Sequence, residues 1–178
     1  VVWRGSEMMA ISAQKNKINV AIATWEWPNY FSKEDRLKGI ALQTAEWRRP
    51  PANTIPTDAK AAGLYMICTL SKHKAEKNGY TDALMLDYKG RVSESTGSNI
   101  FFVINGEIHT PTPDCFLNGI TRQTVIQIAE NQGIKVIVRD IYPDEITKAD
   151  EIFLTGSAVE VTPVGKIDDH IFKVGNIT

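Results

Sequence analysis

A lysine, a lone acid and two small-residue turns carry the chemistry this chain could do. Lys60 stands in Thr57-Asp58-Ala59-Lys60-Ala61-Ala62-Gly63-Leu64-Tyr65, among small residues and with no carboxylate beside it on the C-terminal side. An amine so placed can lose its solvation and its proton, and a neutral amine is a nucleophile towards an aldehyde. Glu94 lies alone in a turn, Ser93-Glu94-Ser95-Thr96-Gly97. Asn118-Gly119-Ile120-Thr121-Arg122 immediately precedes a helical pattern. The unpaired N–H groups and dipole of a helix start favour an anion, and Gly119 would let one approach closely. Thr155-Gly156-Ser157-Ala158 is a second turn able to aim N–H groups and a hydroxyl at an anion. Taken singly, each has a plain structural explanation: a solvated lysine, a turn acid, an ordinary N-cap and a tight turn.

Together they match what pyridoxal phosphate requires. The amine is the Schiff-base partner, the acid faces the pyridine nitrogen, and the turns seat the phosphate. A carboxylate opposite that nitrogen keeps it protonated, and the charged ring then withdraws electrons from the substrate α-carbon. Tyr65, just beyond Lys60, is placed to bond the cofactor phenolate; its other reading is a core tyrosine with a satisfied hydroxyl.

These residues need elements to hold them. Ile18 to Thr24 is rich in β-branched residues and reads as a strand, followed by the aromatic, Pro-broken loop Trp25 to Phe31. Arg48 to Asn53 reads as an irregular connection. From Thr57 or Asp58 a helix is expected to Asn78, with Leu64, Ile67 and Leu70 on its buried face and Gly79 as its stop. Strands follow at 82–87 and 91–93, with a turn at Lys89-Gly90. The runs 100–104 and 107–110 flank Asn105-Gly106, a strong hairpin signal because both residues tolerate positive φ. A helix over 121–132 buries Val125, Ile128 and Ala129 and stops at Gly133. Strands at 134–138, 151–155 and 159–164 and a short helix at 143–148 complete the chain. Segregated helices and hairpins argue an α+β fold.

The chain has 178 residues, 43% of them hydrophobic and 23% charged, so one packed domain is expected. The net charge of −1 gives no general attraction to nucleic acid or anionic membrane. The longest apolar runs are too short to span a bilayer. Cys68 and Cys115 lack motif spacing, and His73, His109 and His170 are scattered, so no metal site is expected. A reduced, cytoplasmic setting fits. The start at Val1-Val2-Trp3 and the end at Gly175-Asn176-Ile177-Thr178 suggest a fragment of a longer protein.

Four blocks resemble the class IV pyridoxal-phosphate aminotransferases. They are Lys60-Ala61-Ala62-Gly63-Leu64-Tyr65, Ser93 to Phe101, Leu117-Asn118-Gly119-Ile120-Thr121-Arg122, and Gly156-Ser157-Ala158-Val159-Glu160-Val161-Thr162-Pro163. Within that class the chain is most similar to branched-chain amino-acid aminotransferases. The resemblance implies the large domain of fold-type IV enzymes over 1–178, a mixed β pseudo-barrel surrounded by helices. Residues 1–35 would be entry strands and an interdomain loop. It implies that Lys60 links to the cofactor and moves the α-proton, that Glu94 pairs with the pyridine nitrogen and Tyr65 with the ring oxygen. Leu117 would pack against the ring, and the Ile120 and Thr121 amides, next to Gly119, would hold the phosphate. Ser157, with Ala158, would serve phosphate and substrate carboxylate, and Trp27 would line the side-chain pocket. The family's smaller N-terminal domain, with a phosphate-binding arginine that Arg4 does not match, would be missing here, and so would the last helix. The implied reaction moves the amino group of L-leucine, L-isoleucine or L-valine to 2-oxoglutarate, in a homodimer or higher homo-oligomer that binds amino acids and 2-oxo acids. The alternatives are a D-amino-acid aminotransferase, an aminodeoxychorismate lyase, or a non-catalytic module that binds a phosphate ligand.

Overall fold

Short runs of β-branched and aromatic residues, punctuated by glycine turns, fold into a closed barrel. The computed structural model describes residues 1–28 and 30–178. Strands β1 (Val2–Arg4) and β2 (Ile18–Val20) form a separate antiparallel hairpin. Helix α1 (Lys33–Lys38) is capped by Ser32, whose hydroxyl accepts from the Asp35 N–H. There follow β3 (Ile40–Arg49), α2 (Met66–Lys77), β4 (Asp82–Asp87), β5 (Val92–Ser95), β6 (Asn99–Ile104) and β7 (Glu107–Pro111). Then come α3 (Ile120–Asn131), β8 (Val136–Arg139), β9 (Glu151–Gly156), β10 (Glu160–Ile167) and β11 (His170–Ile171).

Strand pairing runs β10–β3–β4–β5–β6–β9 and returns to β10, so six strands close a ring. β3 pairs parallel with β4 and β10; the other pairs in the ring are antiparallel. Side-chain alternation explains how both faces are buried. Ile100, Phe102, Leu84, Leu86, Ile152 and Leu154 pack in one cluster with Ile40, Leu42 and Val164. The residues between them face the helices: Ala83 and Met85 meet Cys68 and Ala75 of α2, and Phe101, Val103 and Phe153 meet Ala129 of α3. Phe101 and Phe153 are cross-strand partners, with ring centroids stacked 4.9 Å apart.

Both long helices end the same way. Gly79 (φ +83) and Gly133 (φ +75) take the left-handed conformation, and the next residues, Tyr80 and Ile134, donate back to the Ala75 and Ala129 carbonyls at 2.9 Å. This is the Schellman closure expected of glycine at that position. Asn105 (φ +52) and Gly106 (φ +78) make the expected hairpin turn.

The structure corrects several readings. The helix expected from Thr57 begins only at Met66, after a single 3-10 turn (Ala62–Tyr65), so Lys60 stands on a loop before it. Thr57 does not cap a helix; it is buried and its hydroxyl reaches the Asp114 carbonyl at 3.4 Å. Leu70 and Ile128 are exposed, because the helices bury the narrower lines Cys68, Ser71, Ala75 and Arg122, Ala129. Arg48 and Arg49 are not a connection but the end of β3, whose register shifts between Thr44 and Arg48. That irregularity changes which parity is buried, from Ile40 and Leu42 to Ala45 and Arg49, and erases the period-two signal. The strand expected over 18–24 is shorter, ending at Val20.

Candidate active site

One cavity of about 390 Å³ opens at the barrel end where β5, β6 and β9 meet the loop before α3. Lys60, Tyr65, Glu94, Leu117, Gly119, Ile120, Thr121, Ser157 and Ala158 all line it. The fold therefore brings together residues spread over nearly one hundred positions. Trp27 lines a neighbouring recess of about 490 Å³ with Trp25, Ser157 and Ala158, so the two spaces share the Ser157 turn. Asn29 in the aromatic loop lies outside the described residues.

Glu94 is not in a turn as expected but on β5, paired with Met85 and Asn99, because the return strand runs on to Ser95; only 8% of its surface is exposed. Burial pushes its carboxyl up to about 8; Arg49 opposes that shift and Asp82 adds to it. Asp82, itself buried, is also pushed up by burial, with Lys72 opposing. Arg49 is a residue that sequence reasoning missed. It is buried at the end of β3, with Nε 3.3 Å from Glu94 Oε1. Its guanidinium also donates to the Cys115 carbonyl at 3.3 Å and meets Cys68 Sγ at 3.4 Å. These partners pin the cation beside the acid. Its only trace in the sequence was the apolar alternation of Ile40 and Leu42 ahead of it. Tyr65 is half-buried, and its hydroxyl is pushed up first by burial and then by Glu94.

Lys60 is exposed, which differs from the expectation of a desolvated amine: the small residues around it leave its side chain in water. The N-cap of α3 is Gly119, and no side chain among the described residues caps that helix. The Ile120 and Thr121 N–H groups are thus left for the cavity. The space beside Gly119 is occupied rather than open, since a Cβ there would sit 2.4 Å from Asn99 Oδ1. Opposite this loop, Ser157 and Ala158 are exposed in the turn between β9 and β10. Below them Thr155 lines the cavity with a buried hydroxyl that has no hydrogen-bond partner among the described residues.

A buried hub braces the loop that brings Leu117 to the site. Arg91 donates to Asp87 at 2.6 Å and to Asp114 at 2.8 Å, and pairs with Asp140 at 2.8 Å. Asp87, Asp114 and Cys115 lie close enough together to suggest a cation site, but Arg91 already supplies the positive charge.

Residues 1–167 match the family model for amino-transferase class IV. The chain belongs to that family. Its barrel with flanking helices is the fold expected of fold-type IV enzymes. The branched-chain-amino-acid aminotransferase of Pseudomonas aeruginosa is 40% identical over 175 residues, covering 98% of this chain and 56% of the relative. That of Escherichia coli strain K12 is 38% identical over 151 residues, covering 84% and 49%. Among solved structures, the branched-chain aminotransferase of Thermoproteus uzoniensis with norvaline superposes at a TM-score of 0.92, with 34% identity, over 99% of this chain and 58% of that one. The branched-chain amino acid aminotransferase of Escherichia coli gives 0.90 and 35% identity, over 94% and 56%. An aminotransferase from Brucella abortus bound to the cofactor PLP gives 0.80 and 33% identity, over 99% and 62%. This class IV chain thus spans about half the length of the curated relatives it matches.

Proposed function

We propose that the complete protein moves the amino group of L-leucine, L-isoleucine or L-valine to 2-oxoglutarate, using pyridoxal phosphate held in the cavity between Lys60 and Glu94. The observation that carries this reading is the gathering of an amine, a buried acid and two turns able to seat an anion around one cavity. The residues fit the group. The uncapped N–H groups of α3 suit a phosphate. The orphaned Thr155 hydroxyl wants a polar neighbour. Glu94, which burial has made reluctant to ionise, suits a cationic pyridine nitrogen that offsets its desolvation.

When bound, the cofactor supplies an electron sink that makes the substrate α-proton acidic. The chain's own residues do the rest. Lys60 is the catalytic residue: its amine anchors the cofactor and carries the proton to and from the α-carbon. The Glu94 carboxylate would hold a proton on the pyridine nitrogen, and Arg49, 3.3 Å away, keeps Glu94 in place and offsets part of the cost of charging it. The Tyr65 hydroxyl would serve the ring oxygen, and the Leu117 side chain, which also lines the cavity, would pack against the ring. The Ile120 and Thr121 N–H groups, with the Ser157 hydroxyl, bind the phosphate. Ser157 and Ala158, shared with the aromatic recess, orient the substrate carboxylate. Trp25 and Trp27, with ring centroids 5.3 Å apart, give that recess an apolar wall suited to a branched side chain. Both cysteines are free thiols, in keeping with a reducing cytoplasmic setting. We read the active assembly as a homodimer or higher homo-oligomer.

Amino-donor profiling tests the substrate class. One methylene in an apolar pocket is worth about 1–3 kcal/mol in discrimination, so L-leucine, L-isoleucine and L-valine should each outpace L-alanine by tenfold or more. Their D forms should react poorly. Preference for D-alanine, or pyruvate release from aminodeoxychorismate, would overturn the branched-chain reading.

A further inference from the structure

We propose that Asn99 is a positioning residue that fixes the helix-entry loop of the cavity, and that residue 119 is glycine because of it. The proposal rests on the cofactor reading for what the loop holds, not for how it is held.

Asn99 opens β6 and is buried. In the ring it pairs with Glu94 on one side and with Thr155 on the other, so its backbone is fixed between the two strands that carry those residues. Its side chain crosses to the loop and uses both ends. The amide nitrogen donates to the Leu117 carbonyl at 2.9 Å, and the amide oxygen accepts from the Gly119 N–H at 3.2 Å. Asn118, between them, is gripped separately: Arg122 Nη1 donates to Asn118 Oδ1 at 2.7 Å, while its Nε reaches Thr110 Oγ1 at 3.2 Å. Leu117 and Gly119 are thus held from the sheet, and Asn118 from α3. The two N–H groups that follow, of Ile120 and Thr121, inherit their placement from a side chain on the barrel wall. Only a group with one donor and one acceptor at this spacing can hold both backbone partners; aspartate lacks the donor and leucine lacks both.

The glycine follows from the same contact. Gly119 has φ −59 and ψ 146, a backbone conformation open to any residue. Its conformation therefore does not demand glycine. A Cβ there would lie 2.4 Å from Asn99 Oδ1, whereas the next atoms, Asn99 Cγ and Arg122 Cβ, are 3.6 and 4.0 Å away. A side chain there must displace one oxygen atom, and it is the oxygen that accepts the Gly119 N–H.

A double-mutant cycle in the complete protein tests this, with Asn99→Ala, Gly119→Ala and the pair. Three quantities are read: pyridoxal phosphate affinity by titration, the phosphorus-31 shift of the bound phosphate, and amide exchange of residues 117–121 without cofactor. Asn99→Ala should weaken binding about tenfold, as expected for two neutral hydrogen bonds, move the phosphorus shift, and speed exchange at the Gly119 N–H. Gly119→Ala should weaken binding comparably when Asn99 is present and add little once it is gone. Asn99→Leu, which refills the volume without donor or acceptor, should lose affinity as the alanine variant does, separating the lost bonds from a cavity. Additive losses in the pair, or an unchanged phosphorus shift and Gly119 exchange in Asn99→Ala, overturn the proposal and leave the cofactor reading intact. A wild-type protein that takes up no pyridoxal phosphate overturns the cofactor reading instead. The Gly119 exchange arm then supports the loop assignment by rising in Asn99→Ala, or sinks it by staying level.

Discussion

The floor and the rim of the cavity are built by different rules. Glu94, Asn99 and Thr155 lie on neighbouring strands of the ring, buried and fixed by the sheet. Lys60, Ile120, Ser157 and Trp27 sit on loops or at a helix start and are exposed. The groups that set charge and register are therefore part of the fold, whereas those that would touch reactants are appended to it. Mutation should separate the two: rim changes remove function and spare stability, and floor changes move both.

The largest effect belongs to the rim. Lys60→Ala should abolish transamination by the complete protein, while its denaturation free energy stays within about 0.5 kcal/mol of wild type, as for other exposed positions. A variant that keeps near-wild-type turnover removes Lys60 from the mechanism. One that unfolds instead erases the distinction between rim and floor.

Next is the floor acid. Glu94→Gln should slow the chemical step roughly 10²-fold, about 2.7 kcal/mol of barrier, with a smaller loss of cofactor affinity. Single-turnover rates that match wild type would reduce Glu94 to a structural residue of β5. The same position should also govern stability. The folded carboxyl titrates near 8 rather than at its ordinary value of 4.5. Its contribution to the cofactor-free protein is thus full below pH 4.5 and lost as pH rises through about 8. Urea denaturation of wild type relative to Glu94→Gln should show stability falling across that window, by up to about 1.4 kcal/mol per pH unit. Parallel pH profiles would contradict the buried, reluctant acid on which the pairing with a cationic ring depends.

The smallest expected effect is at the second turn. Ser157→Ala removes one hydroxyl donor from an exposed turn, so cofactor binding should weaken by at most the roughly 1.5–3 kcal/mol of a bond to a charged group, with no change in melting temperature. Unaltered affinity would assign the phosphate to the α3 loop alone.

The same division marks what could be read from the sequence. The rim announces itself locally: Gly119 at a helix start, Gly156-Ser157 after a strand, and Lys60 among small residues are visible in a few consecutive positions. The glycine stops at Gly79 and Gly133 and the Asn105-Gly106 turn were legible for the same reason. Strand β4 was legible to the residue because it is apolar and uninterrupted. The floor depends on barrel closure. Arg49 meets Glu94, and Asn99 meets Gly119, only because the strands and the loop beside them are brought together in space. The shifted register within β3 also hid the strand that delivers Arg49. Asn99 stood in a recognised block without a role, since nothing in its neighbours reveals a partner twenty residues on.

The central claim is that Lys60 holds pyridoxal phosphate across the cavity from Glu94. Incubating the complete protein with the cofactor, reducing with borohydride and mapping the adduct by mass spectrometry tests it directly. A single phosphopyridoxyl group on Lys60, absent in Lys60→Ala, is the predicted result. An adduct on another lysine, or none at saturating cofactor, would contradict it.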